Sequence, residues 1–159
     1  DICFIPDGDY AAYIEKYTGR SFEKGDFVTR DGKILGQHKG IIRYTVGQRR
    51  GLGLALAAPM YVLEKNIQDN SVILGENEML FSRSLDADSI NFIPFDRLQG
   101  SMRVKARVRY SQPERDAVAE QTGEDSFHLE FDEPQRAITR GQSVVLYDGE
   151  YVIGGGTVR

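Results

Sequence analysis

Apolar and polar positions follow helical spacing in one short segment near the start of the chain. Asp9 is a predicted N-cap and Gly19 a predicted stop for a helix of about two turns over Tyr10 to Tyr17. Three apolar positions of this segment are expected to share one face: Ala11, Ile14 and Tyr17. No long 3.6-residue period occurs elsewhere, so helix is predicted to be the minor element.

The remainder of the chain consists of short apolar runs joined by turn-forming dipeptides. Asp31-Gly32 separates 27–30 from 33–35, Asp69-Asn70 separates 60–63 from 71–74, and Asp148-Gly149 separates 143–147 from 151–153. Such hairpin signals predict antiparallel β structure and argue against βαβ units. A polar stretch over 75–88 predicts the boundary between two sets of strands, and 112–125 is predicted to be partly an exposed loop.

The composition narrows the class of protein. The 159 residues include 24 acidic and 20 basic side chains, a formal net charge of −4, so a nucleic-acid surface has to be a local patch. A single cysteine and two histidines exclude an internal disulfide and a Cys/His zinc cluster. No apolar run reaches the roughly 18 residues of a membrane span. These features predict a cytoplasmic protein with no membrane partner and no metal site.

Four cations alternate with apolar residues over 103–110. The cations are Arg103, Lys105, Arg107 and Arg109, and the residues after each of them are Val104, Ala106, Val108 and Tyr110. Positions two apart in a strand share a face and lie about 6.6 Å apart, so the cations are expected to line one surface. This basic stripe is either an RNA-binding face, because its spacing is close to that of phosphates along an RNA strand, or an ordinary solvated face with edge-protecting charges.

Two further segments contain residues that could bind a ligand or act as a nucleophile. Arg49 and Arg50 lie among glycines in 45–53, where the backbone can approach a phosphate or base closely, so this segment is a candidate nucleic-acid or anion loop. It does not complete a dinucleotide pattern, because Leu56 stands where the third glycine would be. Cys3 is either a nucleophile or a small buried hydrophobe between two apolar neighbours.

The two histidines and a glycine triplet remain. His38 lies in a turn-rich segment and is interpreted either as an RNA contact or as a loop cap, whereas His128 is expected on the polar face of a strand. Neither histidine has a neighbour in sequence that suggests triad or metal chemistry. The glycines at 154–156 are predicted to allow a β-bulge or a close strand crossing.

Several blocks of the sequence are similar to one enzyme family, in the same order along the chain. They are 1–6 (DICFIP), 36–40 (GQHKG), 44–53 (YTVGQRRGLG), 109–112 (RYSQ), 133–137 (EPQRA), 141–149 (GQSVVLYDG) and 154–156 (GGG). Together they resemble the tRNA-specific 2-thiouridylases, tRNA-uridine 2-sulfurtransferases that are also known as tRNA (5-methylaminomethyl-2-thiouridylate)-methyltransferases. The resemblance covers the central and C-terminal domains of the family and a short tail of its catalytic domain.

The resemblance implies a mainly β fold in three parts. Residues 1–20 would be the tail of an N-terminal ATP-pyrophosphatase domain and would bear the cysteine and the short helix. Residues 21–76 would form a small central β-rich domain. Residues 77–159 would form an antiparallel β-barrel resembling the second domain of elongation factor Tu.

The resemblance also implies a reaction and its partners. Family members adenylate the wobble uridine of tRNA, using ATP held by their N-terminal domain, and then deliver sulfur from a cysteine persulfide; Cys3 matches the cysteine that carries it. A second family cysteine, which attacks that persulfide or forms a disulfide, lies in the N-terminal domain. Expected partners are tRNA, a sulfur-donor or relay protein carrying a persulfide, and the N-terminal domain. This chain alone is expected to be inactive and to bind no cofactor.

The expected tRNA contacts come from the family resemblance and from the positions of the cations in the sequence. Arg109 and Tyr110 match the family's Arg-Tyr pair, and Gln142 matches the glutamine of its Gly-Gln motif. Arg107 is added from the basic stripe, and Arg49 from the glycine-rich loop. The alternative function is a non-catalytic β-barrel module of the translation-factor type that binds RNA or protein.

Overall fold

The structure is a computed structural model that describes residues 9–159 of the chain. Cys3, the predicted persulfide carrier, lies outside the described residues. The contacts divide the chain into two units, the first ending at Met79 and the second spanning Leu80–Arg159. Within the described part, no helix is long and apolar enough to cross a membrane.

The first unit contains the helix and a four-stranded sheet. The helix is α1 (Tyr10–Thr18), and the strands are β1 (Gly25–Val28), β2 (Ile34–His38), β3 (Tyr61–Asn66) and β4 (Ser71–Gly75). The sheet order is β2-β1-β4-β3. The predicted hairpins β1–β2 and β3–β4 are both present and antiparallel. The central pair β1–β4 is parallel, however, which the hairpin signals alone did not predict.

Helix α1 begins and ends where its capping residues predict. The side chain of Asp9 accepts a hydrogen bond from the backbone N–H of Ala12 at 3.0 Å, and Gly19 adopts a left-handed φ of 65°. Ala11 is buried as expected. The predicted apolar face is wrong at Tyr17, which is 80% exposed and stacks on Tyr13 with ring centroids 6.0 Å apart.

His38 belongs to the core of the first unit and not to its surface. Its side chain is fully buried beside the rings of Phe27 and Tyr44. Its Nδ1 accepts a hydrogen bond from the N–H of Gly40 at 3.1 Å, so the proton on Nε2 donates to the carbonyl oxygen of Asn70 at 3.0 Å. The interpretation of His38 as an RNA contact is therefore wrong, because burial removes the ring from any ligand.

The second unit is a closed six-stranded barrel. Its strands are β5 (Phe81–Phe92), β6 (Ser101–Arg107), β7 (Arg115–Gly123), β8 (Ser126–Arg136), β9 (Ser143–Asp148) and β10 (Tyr151–Val158). They follow the order β10-β5-β8-β7-β6-β9, and β10 also pairs with β9 to close the ring. Every neighbouring pair is antiparallel. The predicted fold class, mainly β with an antiparallel barrel and one short helix, is confirmed.

Two barrel strands lie in segments where the sequence predicted a boundary between strands or, in part, a loop. The polar stretch 75–88 contains the first half of β5, in which Leu85 and Ala87 face the core while their neighbours face outward. The segment 112–125, predicted to be partly an exposed loop, contains β7, whose buried positions are Ala117 and Ala119. Alanine is small and carries little hydrophobic signal, which is why the pattern did not reveal this strand.

The glycine triplet 154–156 lies in β10, where the strand crosses its neighbours closely. A Cβ on Gly155 would lie 2.3 Å from the carbonyl oxygen of Val144, and one on Gly156 would lie 2.7 Å from that of Asp88. The pairing of β10 with β5 also shifts register between Gly155 and Thr157. The predicted bulge and close crossing are thus confirmed, and they are what lets β10 pair on both sides.

Antiparallel pairing around the ring places the connections alternately at the two ends of the barrel. One end, here named the Tyr110 end, carries the β6–β7 connection (108–114) and the β8–β9 connection (137–142). The opposite end carries the connections 93–100, 124–125 and 149–150. Residues 23 to 34 positions apart in sequence are thereby brought to the same end.

Replacing the buried histidine is expected to destabilise the first unit strongly. His38→Ala leaves the Asn70 carbonyl without its donor and opens a cavity, a loss of roughly 2–4 kcal/mol in the free energy of unfolding. The matched control is His128→Ala, whose half-exposed ring contacts only a surface carboxylate, with an expected loss below about 1 kcal/mol. Urea denaturation measures both; equal losses would contradict the structural role of His38.

Candidate nucleic-acid interface

The basic stripe alternates with core residues as predicted, but it does not form one continuous strand face. Val104, Ala106 and Val108 are all buried. Strand β6 ends at Arg107, so Arg109 lies in the connection that follows and does not continue the strand. The stripe is therefore divided between a strand and a loop.

Two of the four cations of the stripe form ion pairs with carboxylates from other segments of the barrel. Arg103 hydrogen bonds Asp132 of β8 through both Nη atoms, and these bonds hold the pKa of Asp132 below its usual value. Arg107 Nη2 lies 2.8 Å from Oε1 of Glu114. Two of the four cations are thus neutralised, because Arg103 and Arg107 each form an ion pair.

Arg109 joins the two connections of the Tyr110 end. Its Nη2 donates to the carbonyl oxygen of Ala137 at 2.9 Å and to Oγ1 of Thr139 at 3.2 Å. Partial burial lowers the pKa of this guanidinium, and the positive charge of Arg136 adds to the effect. Arginine remains charged in proteins, so a positive group is fixed at a defined place between the two loops.

Tyr110 is the most exposed aromatic residue that the structure describes. Its side chain is 98% exposed, next to Arg109 in a tight turn that the N–H of Gln112 closes on the Arg109 carbonyl at 3.0 Å. A fully solvated tyrosine ring contributes nothing to the core, whereas an aromatic face beside a guanidinium suits a stacking partner.

Gln142 lies in the second connection of the same end. Its backbone is fixed, because its carbonyl accepts from the N–H of Val158 at 2.8 Å and its N–H donates to the carbonyl of Thr139 at 3.2 Å. Within residues 9–159, its side-chain Oε1 is buried without a hydrogen-bond partner. The topology thus brings four predicted residues to one end of the barrel: Arg107, Arg109, Tyr110 and Gln142. Their role in tRNA binding stays a prediction.

Arg49 belongs to the first unit, in the glycine-rich loop 45–53. Gln48 holds this loop, because its Oε1 accepts from the N–H of Thr45 at 3.0 Å and its Nε2 donates to the carbonyl of Arg50 at 2.9 Å. The side chain of Arg49 is exposed and borders a pocket of about 350 Å³ that is lined by residues between Gly51 and Met60. A rigid loop that presents two cations is consistent with an anion or RNA contact.

His128 lies on the polar outer face of β8, as predicted. Its Nδ1 lies 2.8 Å from Oδ1 of Asp86 on the neighbouring strand. Among the described residues, no three His, Cys, Asp or Glu side chains are grouped closely enough to hold a metal ion.

A cleft at the Tyr110 end was not found from the sequence. It has a volume of about 330 Å³ and is named here the Phe81 cleft; it is lined by Phe81, Gln112, Pro113, Arg115, Glu133, Pro134, Gln135 and Arg136. A bulge in β8 forms one wall, since Ser82 pairs with Gln135 but Ser84 pairs with Glu130. A proline inside a strand marks such a bulge, so Pro134 was the available signal.

Comparison with known proteins identifies the family to which the chain belongs. Residues 11–76 match the family described as the tRNA methyl transferase PRC-barrel domain, and residues 82–158 match the aminomethyltransferase beta-barrel domain. The tRNA-specific 2-thiouridylase MnmA of Clostridioides difficile is 49% identical over 158 residues. The enzyme of the same name from Acetivibrio thermocellus is 49% identical over 159 residues. The chain belongs to the tRNA-specific 2-thiouridylase family.

The match covers almost the whole of this chain but less than half of the length of each relative. It includes 99% of this chain and 44% of the Clostridioides difficile protein, and 100% and 44% for the Acetivibrio thermocellus protein. A relative from Clostridium botulinum, tRNA-specific 2-thiouridylase MnmA 2, is 47% identical over 99% of this chain and 45% of its own length. The chain corresponds to the C-terminal part of these 2-thiouridylases.

Asp132→Asn is expected to weaken the acid dependence of barrel stability. The folded pKa of Asp132 lies below its ordinary value of 3.8 because Arg103 donates to the charged form. The stabilisation is therefore complete above the unfolded pKa and is lost as the pH falls through the folded pKa. Urea midpoints from neutral pH down to about pH 2 measure this loss.

The control for this measurement is Asp96→Asn, which removes an exposed carboxylate of the β5–β6 connection. The control should retain the wild-type acid dependence. An identical dependence for Asp132→Asn and the wild-type chain would show that the Arg103–Asp132 pair contributes nothing to stability.

Proposed function

We propose that this chain is the tRNA-binding and sulfur-relay part of a cytoplasmic enzyme that 2-thiolates the wobble uridine of tRNA. The relatives described above are tRNA-specific 2-thiouridylases, which supports the enzyme class. The single observation that carries the binding role is the convergence of Arg109, Tyr110 and Gln142 at one end of the barrel. These are the residues that the family resemblance singles out, and they come from two separate connections.

The chemistry that we propose is divided between this chain and an N-terminal domain. That domain would bind ATP and adenylate O2 of the uridine, which makes C2 open to attack and AMP a good leaving group. Cys3 of this chain would carry a persulfide supplied by a donor or relay protein. The terminal sulfur would attack C2, and AMP would leave. The attack joins Cys3 to C2 through an S–S bond. The thiolate of a second cysteine, in the N-terminal domain, would then attack Sγ of Cys3, which forms a disulfide between the two cysteines and breaks the bond to the sulfur that stays on the 2-thiouridine.

The Tyr110 end would bind tRNA through one aromatic face and several fixed polar groups. Tyr110 offers its ring to a base, and Arg109 is held in place by Ala137 and Thr139, so little side-chain entropy is lost on binding. Arg107 is paired with Glu114, so its contribution as a phosphate contact would require that pair to rearrange. Arg49 would add an exposed cation from the first unit.

A second candidate function follows from the barrel alone. A barrel with an exposed tyrosine and a fixed arginine can bind RNA without any catalytic role, as a module of the translation-factor type. The two functions differ at Cys3. Sulfur transfer requires a thiol that accepts sulfane sulfur from a donor, whereas a purely binding module leaves that thiol unused.

Tyr110→Ala is expected to weaken tRNA binding without affecting the fold. The ring is 98% exposed, so its removal should leave the unfolding midpoint unchanged. Loss of one base stack should reduce affinity about 5- to 150-fold. The matched control is Tyr151→Ala, which removes a 79% exposed tyrosine at the opposite end of the barrel. Fluorescence anisotropy with a labelled, unmodified tRNA measures both; equal affinities for the two variants would contradict the assignment.

The sulfur-relay role is tested by reconstitution. The chain is mixed with the separately expressed N-terminal domain, ATP, a persulfide donor and unmodified tRNA, and 2-thiouridine is measured by mass spectrometry. Product should form with the wild-type chain, and none with Cys3→Ser or with the chain alone. If Cys3→Ser gives as much 2-thiouridine as the wild-type chain, Cys3 does not carry the persulfide, and the chain is a binding module only. An intact full-length enzyme is the positive control for the split.

A further inference from the structure

We infer that the Phe81 cleft binds one unpaired nucleotide of the RNA, next to the nucleotide that contacts Tyr110. This inference rests on the proposed tRNA binding and adds a second site to it. None of the residues predicted to contact tRNA lines the cleft. Its volume of about 330 Å³ lies within the range of clefts that hold small ligands, roughly 300–1,000 Å³.

The aromatic ring of Phe81 supplies a stacking surface. The residue is 43% exposed at the first position of β5, although a phenylalanine gains most by burial. A partly exposed ring at the wall of a cleft can stack on a base of any sequence, because every base has a π face. An exposed aromatic in this position is thus explained by a planar ligand.

The walls of the cleft are held in place before a ligand arrives. Pro113 and Pro134 have fixed φ angles, and both line the cleft. Nε2 of the buried Gln135 donates to the carbonyl of Glu133 at 2.6 Å, which fixes the β8 bulge. On the facing strand, Oγ of Ser82 donates to the carbonyl of Ser84 at 2.8 Å. A preformed cleft loses little conformational entropy on binding.

The charged groups of the cleft match a nucleotide better than a simple anion or a cation. Arg115 and Arg136 carry guanidinium groups that suit a phosphate. Glu133 is a hydrogen-bond acceptor only, so it favours a base edge that offers N–H groups and disfavours an anion without them. An aromatic surface, two cations and one acceptor together describe a base with its phosphate.

The cleft and Tyr110 share one connection of the barrel. Gln112 and Pro113 line the cleft and lie two and three residues after Tyr110 in the β6–β7 connection. A single strand of RNA that stacks a base on Tyr110 therefore continues over the wall of the cleft. Tyr110 and Phe81 would then each stack one of two neighbouring unpaired nucleotides.

The test compares tRNA affinities of the full chain with changes at Phe81. Phe81→Leu keeps an apolar side chain and removes the π face, and it should weaken binding of an unmodified tRNA transcript about 5- to 150-fold. Phe81→Tyr keeps the ring and should bind like the wild type. Tyr151→Leu, an exposed aromatic replaced at the opposite end, is the matched control and should bind like the wild type. Thermal unfolding of each variant checks the fold.

Salt dependence separates stacking from charge. Phe81→Leu should leave the slope of log affinity against log salt unchanged, whereas Arg115→Gln should lower its magnitude by about 0.7, the value for one single-strand phosphate contact. If folded Phe81→Leu binds tRNA with wild-type affinity while Tyr110→Ala binds it more weakly, the cleft does not bind a nucleotide. The proposed function would then still stand. If Phe81→Leu instead lost binding to the separately expressed N-terminal domain, the cleft would be a protein contact. A wild-type chain that binds no tRNA would overturn both.

Discussion

Closure of the barrel is the constraint on which the candidate interface depends. Strand β10 has to pair with β9 on one side and with β5 on the other, and the glycines at 154–156 allow this because a Cβ would collide with backbone on either side. Once the ring is closed, antiparallel neighbours send alternate connections to opposite ends. The segments around Tyr110 and Gln142 meet at one end for this reason, and Arg109 then joins them through the Ala137 carbonyl.

Charge pairing determines how an acidic protein can still offer an RNA-binding surface. On the barrel wall, Arg103 of β6 pairs with Asp132 of β8 across the intervening β7, so this cation is neutralised and offers a phosphate strand little attraction. At the Tyr110 end, the partly buried guanidinium of Arg109 lies between two loops, one of which exposes the ring of Tyr110. Stacking and a few fixed cations can then supply affinity without a large excess of positive charge.

The predictable features were those encoded by neighbouring residues. Asp9 and Gly19 define the helix, and turn dipeptides such as Asp148-Gly149 define the hairpins, because capping and turns depend on local backbone chemistry. The features that were missed depend on distant partners. The ion pair of Arg103, the burial of His38 and the cleft at Phe81 each require a residue from another strand or turn. Family resemblance supplied Arg109, Tyr110 and Gln142, and the charge pattern supplied Arg107. The barrel topology explains why these four residues lie at the same end.

Hydrogen exchange measured by mass spectrometry, with and without tRNA, tests most directly whether the Tyr110 end is the RNA-binding surface. If the Tyr110 end binds RNA, peptides covering 108–114 and 137–142 should exchange more slowly when unmodified tRNA is bound. Peptides covering 93–100, 124–125 and 149–150 at the opposite end should exchange at the same rate in both samples. If tRNA slowed exchange only at the opposite end or only along the barrel wall, the Tyr110 end would not be the RNA-binding surface.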